Sequence, residues 1–515
     1  MSRASVIIAV FALLASGCAG LPSLENRTTT TAFVDTAATL LGRAVAADEV
    51  ANRGKTGIHS LPDPHEAFAA RLLLAGAAEK SIDAQYFVWH DDQVGYLLFH
   101  ALWEAAERGV RVRALLDDFY TGGLDPTIAA LDAHPNIEVR LYNPLTERNI
   151  RTLNLMTDFA RVNRRMHNKS FTVDNQVSIV GGRNIGNEYF AAGSGVAFAD
   201  LDVIAVGSAV RDVSKEFDLY WNSPSAYPAA ALIGAANADD AQKLQAVFAS
   251  TRANPKSVAY LETVRASHIV SDMLEHRLGF EWVNARLVYD DPAKTLDSKA
   301  GADVLLFPEL VSAIGPAESS FDLVSPYFVP GEGGTTALAA LAGRGVKVRI
   351  LTNSLAATDV KAVHAGYANR RVELLRAGII LYELKPTAPE EPSEHNQPWF
   401  GLASESALHA KTFAVDRNRG FVGSFNFDPR SHLLNTEMGL VINSPTLAQR
   451  LGQTFDTAVP LLAYEVRLAP DGQSLQWIER TASGETRYYE TEPGASWLLR
   501  RGIDMLRVLP IEWLL

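Results

Sequence analysis

Two segments of the chain place a histidine, a lysine and an aspartate at the same spacing, His-x-Lys-x4-Asp. The first copy consists of His167, Lys169 and Asp174, and the second of His409, Lys411 and Asp416. The two histidines lie 409 − 167 = 242 residues apart. A single match of this kind arises by chance on the order of a few per cent of the time in such a chain, so two matches indicate a repeated site.

Each copy continues to a glycine and an asparagine at a matching distance. Gly181 and Asn184 follow the first motif, and Gly423 and Asn426 follow the second. Side chains alternate along a strand, so a histidine and a lysine two positions apart project from one face. After a turn at the aspartate, a second strand brings the asparagine back toward the histidine. We therefore expect Asn184, Asn426 and Ser424 to contact a substrate anion.

Such a set of side chains suits the transfer of a phosphoryl group. Lysines and asparagines stabilise charge on phosphate oxygens, and histidines on opposite sides of phosphorus position an in-line attack. This arrangement requires neither a metal ion nor another cofactor. The net charge of −12 argues against broad attraction to nucleic acid, whose binding depends on neutralising phosphates, so no nucleic-acid partner is expected.

The elements that position the motifs also occur twice. Residues 78–88 recur as residues 317–329, and each copy leads through an alanine-rich helix into a β-branched strand. A second helix and a short strand follow in each copy and end at Pro144 or Pro386. Strands that alternate with helices predict an α/β fold in which helices cover both faces of a mostly parallel sheet.

A chain of 515 residues is too long for one ordinary hydrophobic core, so two domains are expected. The expected ranges are a signal peptide at 1–18, an N-terminal segment at 19–60, a first domain at 61–215, a helical connection at 216–280, a second domain at 281–465, and an extension at 466–515 with an amphipathic tail. Residues 387–400, rich in proline and glutamate, are expected to form a surface loop, either a lid or a passive insertion.

The first residues have the pattern of an export signal. Arg3 precedes an apolar stretch that is too short to span a bilayer, and Cys18, the only cysteine, follows small residues. Cys18 lies where sequences that resemble bacterial lipoproteins carry the lipidated cysteine. We expect lipidation and membrane anchoring at Cys18, with a plain secretory signal as the alternative.

The paired motifs and their surroundings resemble the phospholipase D superfamily, and most closely the bacterial cardiolipin synthases of the C type. Residues 423–431 and 434–437 are similar to the second-motif signature of those synthases, and residues 184–190 to the first. Residues 164–167 and 510–515 carry the resemblance to the C type. The resemblance implies two similar α/β/α sandwich halves with one shared active site at a pseudo-two-fold interface.

The same resemblance implies a mechanism through a phosphohistidine. His167 is expected to be the nucleophile and His409 the acid and base. Asp200 and Glu437 match the family's acidic positions and are expected to orient the histidines, with Asp202 as an alternative to Asp200.

Two acidic members of the motifs carry a different expectation. Asp174 and Asp416 belong to the family's motif and are candidates for catalysis. Their distance from the histidine and lysine along the chain favours structural support.

The resemblance implies transfer of a phosphatidyl group to phosphatidylglycerol, which yields cardiolipin and releases glycerol or ethanolamine, according to the donor lipid. Hydrolysis of phospholipids to phosphatidic acid is the alternative, because water can attack the same phosphohistidine. A nuclease and a non-catalytic lipid-binding module are less favoured. The expected partners are phosphatidylglycerol, phosphatidylethanolamine as a second donor, and a membrane, in the periplasm-facing part of a bacterial cell envelope.

Several other residues leave two interpretations open, a substrate or membrane contact and a structural role. They are Arg164, Arg165, His364, Tyr86, Tyr327 and the amphipathic segment 497–515.

Overall fold

The computed structural model describes residues 20–193, 195–296, 301–386, 406–481 and 483–515. The expected signal peptide with Cys18 and the loop at 387–400 lie outside these residues. The strands of the first half are β1 (Thr56–Leu61), β2 (Ser81–Tyr86), β3 (Arg111–Asp117), β4 (Ile137–Tyr142), β5 (Ser170–Val173), β6 (Val177–Gly181), β7 (Ala197–Ala199), β8 (Asp202–Gly207), β9 (Ala226–Pro228) and β10 (Glu281–Val283). Those of the second half are β11 (Ala285–Tyr289), β12 (Ser320–Val324), β13 (Lys347–Asn353), β14 (Ile380–Leu384), β15 (Ser406–Leu408), β16 (Lys411–Val415), β17 (Arg419–Gly423), β18 (Met438–Ile442), β19 (Ala463–Leu468), β20 (Leu475–Arg480) and β21 (Thr486–Tyr489).

The two large sheets repeat one strand order. The first sheet runs β10-β1-β8-β6-β5-β2-β3-β4-β9, and the second runs β11-β18-β17-β16-β12-β13-β14-β19-β20-β21. The segment β8-β6-β5-β2-β3-β4 therefore matches β18-β17-β16-β12-β13-β14. This correspondence confirms the predicted α/β fold of two similar halves.

The prediction of mostly parallel sheets is wrong. Only β2-β3-β4 and β12-β13-β14 are parallel among the strands of the two large sheets, because helical crossovers join them. The motif strands β5 and β16 pair antiparallel with both of their neighbours. The histidine motifs thus lie on hairpins, which the predicted turn at each motif aspartate indicates and the alternation of strands and helices does not.

Helices cover the faces of both sheets. In the first half they span Leu40–Ala51, Pro64–Ala77, Gln93–Glu107, Asp125–Asp132, Asn154–Thr157, Phe159–Val162, Ser208–Trp221, Ala229–Ile233, Ala238–Ala253, Pro255–Arg265 and Ile269–Leu274. In the second half they span Leu306–Ile314, Gly331–Gly343, Lys361–Ala368, Arg371–Arg376, Pro429–Leu433, Pro445–Thr457, Val459–Leu462 and Trp497–Arg507. No helix within the described ranges is long and apolar enough to cross a membrane.

An apolar core joins the two halves. Val180 and Val203 of the first sheet belong to the same buried cluster as Val422 and Leu440 of the second. Strand β6 lies against β17 and β18. Burial of these faces holds the two motif hairpins next to each other, which a single half could not do.

The chain passes from one sheet to the other at Asn284. Strand β10 still pairs with β1 of the first sheet, whereas β11 pairs with β18 of the second. The preceding region, 216–280, contains helices and the short strand β9, which pairs with β4. Beyond the second motif, β19, β20 and β21 extend the second sheet before the helix Trp497–Arg507.

A buried ion pair braces each half at an equivalent place. The Arg113 guanidinium donates two hydrogen bonds to Asp83, at 2.7 and 2.8 Å, between β2 and β3. The Arg349 guanidinium donates two to Asp322, at 2.6 and 2.8 Å, between β12 and β13. Loss of the arginine would leave the buried aspartate as an uncompensated charge, which typically costs about 3–5 kcal/mol.

Candidate active site

Main-chain hydrogen bonds that cross between the halves place the two histidines. The N–H of His167 donates to the carbonyl of Thr436 at 2.8 Å, and the N–H of Thr436 donates to the carbonyl of Arg165 at 2.9 Å. On the other side, the N–H of His409 donates to the carbonyl of Ala199 at 2.8 Å. Strands β7 and β15 pair just beside this bond. Each motif is therefore fixed by the half to which it does not belong.

Each imidazole also takes its carboxylate partner from the opposite half. Nδ1 of His167 lies 2.8 Å from Oε2 of Glu437, and Nδ1 of His409 lies 2.6 Å from Oδ2 of Asp200. Gly182 leaves room for the second carboxylate, since a Cβ there would lie 2.1 Å from Oδ1 of Asp200. The carboxylate bonds fix the rings through Nδ1 and leave Nε2 for reaction with a substrate.

The two carboxylates have opposite electrostatic character. Burial alone would raise the pKa of Asp200, but the nearby His409, Lys411 and Arg183 outweigh burial and lower this pKa to about 2. Burial raises the pKa of Glu437 to about 7, despite Lys169 and two serine hydroxyls. The Asp200 carboxylate is therefore fully ionised at neutral pH, whereas the Glu437 carboxyl is about half protonated.

Both histidines and both lysines of the motifs are buried. Burial, followed by the neighbouring lysines, lowers the pKa of His167 well below its ordinary value. Burial and Lys411 lower the pKa of His409, although Asp200 opposes them. Burial lowers the pKa of Lys169 strongly and that of Lys411 to about 8. An anionic phosphate entering the site would favour the charged form of each lysine.

The lysines lie close to the histidines, as the spacing indicates. Nζ of Lys169 donates to the carbonyl of His167 at 2.6 Å. Nζ of Lys411 lies 2.9 Å from Nδ1 and 3.0 Å from Nε2 of His409. Both cations are thus within reach of an anion bound at the imidazoles.

The two asparagines line the same cavity as the histidines. Asn184 accepts a hydrogen bond from the N–H of Val88 at 3.2 Å and donates one to the hydroxyl of Tyr189 at 2.9 Å. Oδ1 of Asn426 is buried and lacks a hydrogen-bond partner among the described residues. A buried amide oxygen of this kind is available to a donor that a substrate brings.

Ser424 serves Glu437, not the cavity. Its hydroxyl donates to Oε2 of Glu437 at 2.5 Å, and the hydroxyl of Ser431 donates to Oε1 at 2.6 Å. The substrate contact expected for Ser424 stays a prediction, and in the structure its hydroxyl helps to hold the carboxylate beside His167. Ser431 was not among the predicted site residues, and no spacing rule would have selected it.

A buried ion pair behind Glu437 was also absent from the sequence prediction. Nζ of Lys294 lies 2.9 Å from Oδ1 of Asp290, and Oδ2 of Asp290 accepts the N–H of Glu437 at 2.8 Å. Nζ of Lys294 also donates to the carbonyl of Ser431 at 2.9 Å. These residues lie outside both motifs, so only the fold brings them to the site.

The structure does not bring Asp174 and Asp416 to the imidazoles. Each lies in the left-handed region, at φ 52° and 53°, in the turn beyond its motif strand. Asp174 accepts the N–H groups of Glu79, Lys80 and Ser81, at 3.0, 2.7 and 2.9 Å. Asp416 accepts the equivalent N–H groups of residues 318–320. Both aspartates tie the motif hairpin to the start of the neighbouring central strand.

Replacement of Asp174 by alanine is therefore expected to destabilise the protein more than it slows chemistry. Three N–H groups, including that of the buried Ser81, would lose their acceptor, at a cost of about 2–4 kcal/mol, while turnover per folded molecule would stay within a few-fold of wild type. Denaturant unfolding and steady-state kinetics measure the two effects. Asp174→Asn is the matched control, since asparagine keeps an acceptor oxygen and tolerates positive φ. Full stability with lost turnover would instead indicate a catalytic aspartate.

The shared cavity has a volume of about 600 Å³ and is lined by residues of both halves. Phe87 contacts the His167 ring edge-on at 4.9 Å between centroids, and Phe198 stacks on His409 at 5.1 Å. Glu188, Asp359 and Arg430 add charged groups to the wall. None of these residues is among the predicted site residues, although Glu188 and Arg430 lie in the segments 184–190 and 423–431 that carry the family resemblance.

The sequence left both a substrate contact and a structural role open for several residues, and the structure distinguishes some of them. Arg165 and Tyr327 line the cavity, and the Tyr327 hydroxyl donates to Asp359 at 2.6 Å. Tyr86 is instead buried, where its hydroxyl accepts from Arg71 at 2.9 Å.

Two further candidates lie in structural networks. His364 is buried beside Arg371, at 2.7 Å. Asp202, the alternative to Asp200, pairs with Arg71 at 2.9 Å and contacts neither histidine of the motifs.

Among the described residues, one group of three side chains has the composition of a metal site: His90, Asp92 and Glu188. Nδ1 of His90 lies 3.2 Å from Oε1 of Glu188. The Asp92 carboxylate accepts the N–H groups of Gly95 and Asn187, at 2.9 and 2.7 Å, and so caps the following helix. His90 and Glu188 line the same cavity as the two motif histidines, but the carboxylate–imidazole pairs are formed by other residues.

The sequence and structure match known proteins. The family described as "Cardiolipin synthase, PLD-like domain" matches residues 73–221 and 310–459. Cardiolipin synthase C of Escherichia coli (strain K12) is 46% identical over 462 residues, which cover 90% of this chain and 97% of that protein. Cardiolipin synthase A of Pseudomonas aeruginosa (strain LESB58) is 26% identical over 387 residues, covering 75% of this chain and 63% of that protein. The crystal structure of phosphatidylserine synthase from Haemophilus influenzae Rd KW20 shares the fold, with a TM-score of 0.56 and 12% identity over 92% of this chain and 100% of that chain.

Proposed function

The chain belongs to the phospholipase D superfamily, and from this membership we propose that it is a cardiolipin synthase-like enzyme that transfers a phosphatidyl group to phosphatidylglycerol. The crossed pairs His167–Glu437 and His409–Asp200 at one cavity carry the proposal. Two imidazoles, each oriented by a carboxylate, supply a nucleophile and an acid and base for one phosphorus atom.

In the first step, Nε2 of His167 attacks the phosphorus of the donor lipid. A nitrogen–phosphorus bond forms as the phosphorus–oxygen bond to the headgroup breaks. The His409 imidazolium gives its proton to the departing oxygen, so the headgroup leaves as a neutral alcohol. The lysines and asparagines of the motifs surround the phosphate oxygens, where negative charge is concentrated.

In the second step, neutral His409 accepts the proton of a phosphatidylglycerol hydroxyl. The freed oxygen attacks phosphorus, and the bond to His167 breaks. The products are cardiolipin and the restored enzyme. Attack by water in this step would give phosphatidic acid instead.

The electrostatic contrast between the two pairs supports these roles. The ionised Asp200 raises the pKa of His409 against the opposing effects of burial and Lys411, and in this way it favours the imidazolium that the acid requires. The strongly lowered pKa of His167 favours a neutral ring, which the nucleophile requires.

Product analysis tests the proposal. Purified protein in vesicles of phosphatidylglycerol, with or without phosphatidylethanolamine, is expected to yield cardiolipin, identified by mass spectrometry. The released alcohol, glycerol or ethanolamine, identifies the donor. Phosphatidic acid as the main product would establish the hydrolase, and no lipid product from any mixture would contradict both functions.

We also propose that Cys18 is lipidated and anchors the protein to the periplasm-facing side of a bacterial membrane. Cys18→Ala is expected to abolish incorporation of labelled fatty acid and to move protein from the membrane fraction to the soluble fraction. Unchanged labelling would contradict lipidation. Membrane attachment that persists without labelling would instead point to another contact with the bilayer, of the kind described next.

A further inference from the structure

The helix Trp497–Arg507 has two apolar sides. One side carries Leu499, Ile503 and Leu506, which pack with Leu355 and Ala365 of the second half. The other side carries Leu498 and Met505, two turns apart and therefore on one face, which are 74% and 72% exposed. The helix packs onto the second half through the first side alone. The second side has no packing partner among the described residues.

This helix is directly connected to the catalytic cavity. It packs along the helix Lys361–Ala368, which contributes Val363 to the cavity wall. The following residues Leu514 and Leu515 also line the cavity, where their carbonyls accept hydrogen bonds from Arg430 at 3.1 and 2.8 Å. The helix Trp497–Arg507 is thus separated from the cavity by one helix, and the residues that follow it reach the cavity wall.

The first half presents a similar segment at the same cavity. Residues 150–162 form short helices in which Leu155 and Val162 line the cavity. Exposed apolar side chains lie next to these lining residues. We call the exposed apolar side chains of both segments the rim surface: Ile150 (60% exposed), Met156 (84%) and Phe159 (40%), with Leu498 (74%), Met505 (72%) and Val508 (81%).

The charge of the second segment complements an anionic surface. Residues 497–515 contain Arg500, Arg501 and Arg507 against Asp504 and Glu512. Arg501 and Arg507 are exposed, and both pair with Asp504. The whole chain carries −12, so this local excess of arginine opposes the overall charge. Trp497, 61% exposed, and Trp513, 55% exposed, add the residue type enriched where protein meets lipid headgroups.

We propose that the rim surface docks onto a bilayer that contains anionic phospholipid, and that docking sets the catalytic cavity against the headgroups. The proposal rests on the proposed function, because phospholipid substrates reside in such a bilayer. Apolar side chains from both halves enter the interface, while the arginines contact lipid phosphates. A donor lipid then reaches His167 and His409 without its acyl chains crossing water.

A local fluorescent probe tests docking without reference to activity. Because the chain has one cysteine, Met505→Cys on a Cys18→Ser background accepts a single environment-sensitive label. Vesicles of phosphatidylglycerol and phosphatidylethanolamine are expected to shift its emission to the blue, and pure phosphatidylcholine vesicles to do so less. The matched control is Lys347→Cys. Lys347 is exposed at the first residue of β13, whereas Asn353, the last residue of the same strand, donates a hydrogen bond to the carbonyl of Leu408 beside the site. The control label therefore lies at the end of the strand that is away from the site. No shift at 505, or an equal shift at 347, would overturn the proposal. A shift that depends on protein concentration without vesicles would assign the rim surface to a second copy of the chain.

Kinetics on two physical forms of the substrate provide the second test. The double substitution Leu498→Glu and Met505→Glu is expected to lower turnover in vesicles about tenfold or more, with turnover of monomeric short-chain phospholipid unchanged. Val50→Glu, at an exposed valine of the helix Leu40–Ala51, is expected to change neither. An equal loss on both substrates would contradict docking. Failure of the wild type on both substrates would contradict the proposed function, and the probe result would still stand by itself.

Discussion

His167→Ala is expected to prevent phosphoenzyme formation with every donor, whereas His409→Ala is expected to retain it with a donor whose leaving group needs no proton. The first substitution removes the only atom that bonds to phosphorus in the proposed mechanism. The second removes a general acid, which typically contributes 10²- to 10⁴-fold with an ordinary alcohol and little with an activated one. The two substitutions are thus expected to have different effects, although the two histidines lie in equivalent motifs.

Trapping the intermediate measures this difference. A donor with a labelled phosphate and a nitrophenol leaving group is mixed with each variant, and the reaction is stopped in base, where phosphohistidine survives. Label is expected on wild type and on His409→Ala. Label on His167→Ala and none on His409→Ala would reverse the assignment of nucleophile and acid. That reversal would leave the shared two-histidine cavity as the structure shows it.

The catalytic hairpins were accessible from the sequence because their constraints are local. Alternation along a strand places His167 and Lys169 together, and the equal downstream spacing brings Asn184 to the same cavity. The left-handed turn at Asp174 also follows from local chemistry, since aspartate tolerates positive φ. Each of these features depends on fewer than about twenty consecutive residues.

The crossed carboxylates were accessible only in part. The sequence selected Asp200 and Glu437 as the acidic partners, but it contained no physical signal that each would serve the histidine of the other half. That pairing depends on how the two sheets pack, and the deciding contacts join β6 with β17 and β18. The contact between Ser424 and Glu437 could not be predicted from the sequence either, because the two residues lie next to different strands.

The sheet pattern failed for a different physical reason. Helices between strands predict parallel neighbours, and β2-β3-β4 obeys this rule. The rule gives no information about strands that other connections join, such as the tight turn between β5 and β6 or the longer connection through β7 between β6 and β8. An exposed apolar helix face also has no signature in the sequence. Leu498 and Leu499 are both apolar, and the 3.6-residue period of a helix does not indicate which of them packs against the rest of the protein.

The different charge of the two carboxylates leads to a second large effect. Asp200→Asn is expected to lower turnover with an ordinary donor by about 10²- to 10⁴-fold, because the imidazolium of His409 loses its negative partner. The carboxylate raises the pKa of His409, so its removal lowers that pKa, and the protonated acid is lost at lower pH. The alkaline limb of the pH profile should therefore move to lower pH. With an activated donor, which needs no acid, this shift in phosphoenzyme formation should vanish.

Glu437→Gln is the matched comparison, and its effect should depend on pH in a way that the effect of Asp200→Asn does not. Because the pKa of Glu437 is raised to about 7, this carboxyl is mostly protonated and neutral below pH 7, where glutamine resembles it. The loss of turnover should be small near pH 6 and should grow above pH 7, as the wild-type carboxylate becomes charged. Asp200, with a pKa of about 2, is ionised across this whole range, so no pH between 6 and 8 should make asparagine an adequate substitute. Parallel pH profiles for the two variants would contradict the assignment of one charged and one nearly neutral pair, because the mechanism needs His409 protonated while His167 is neutral.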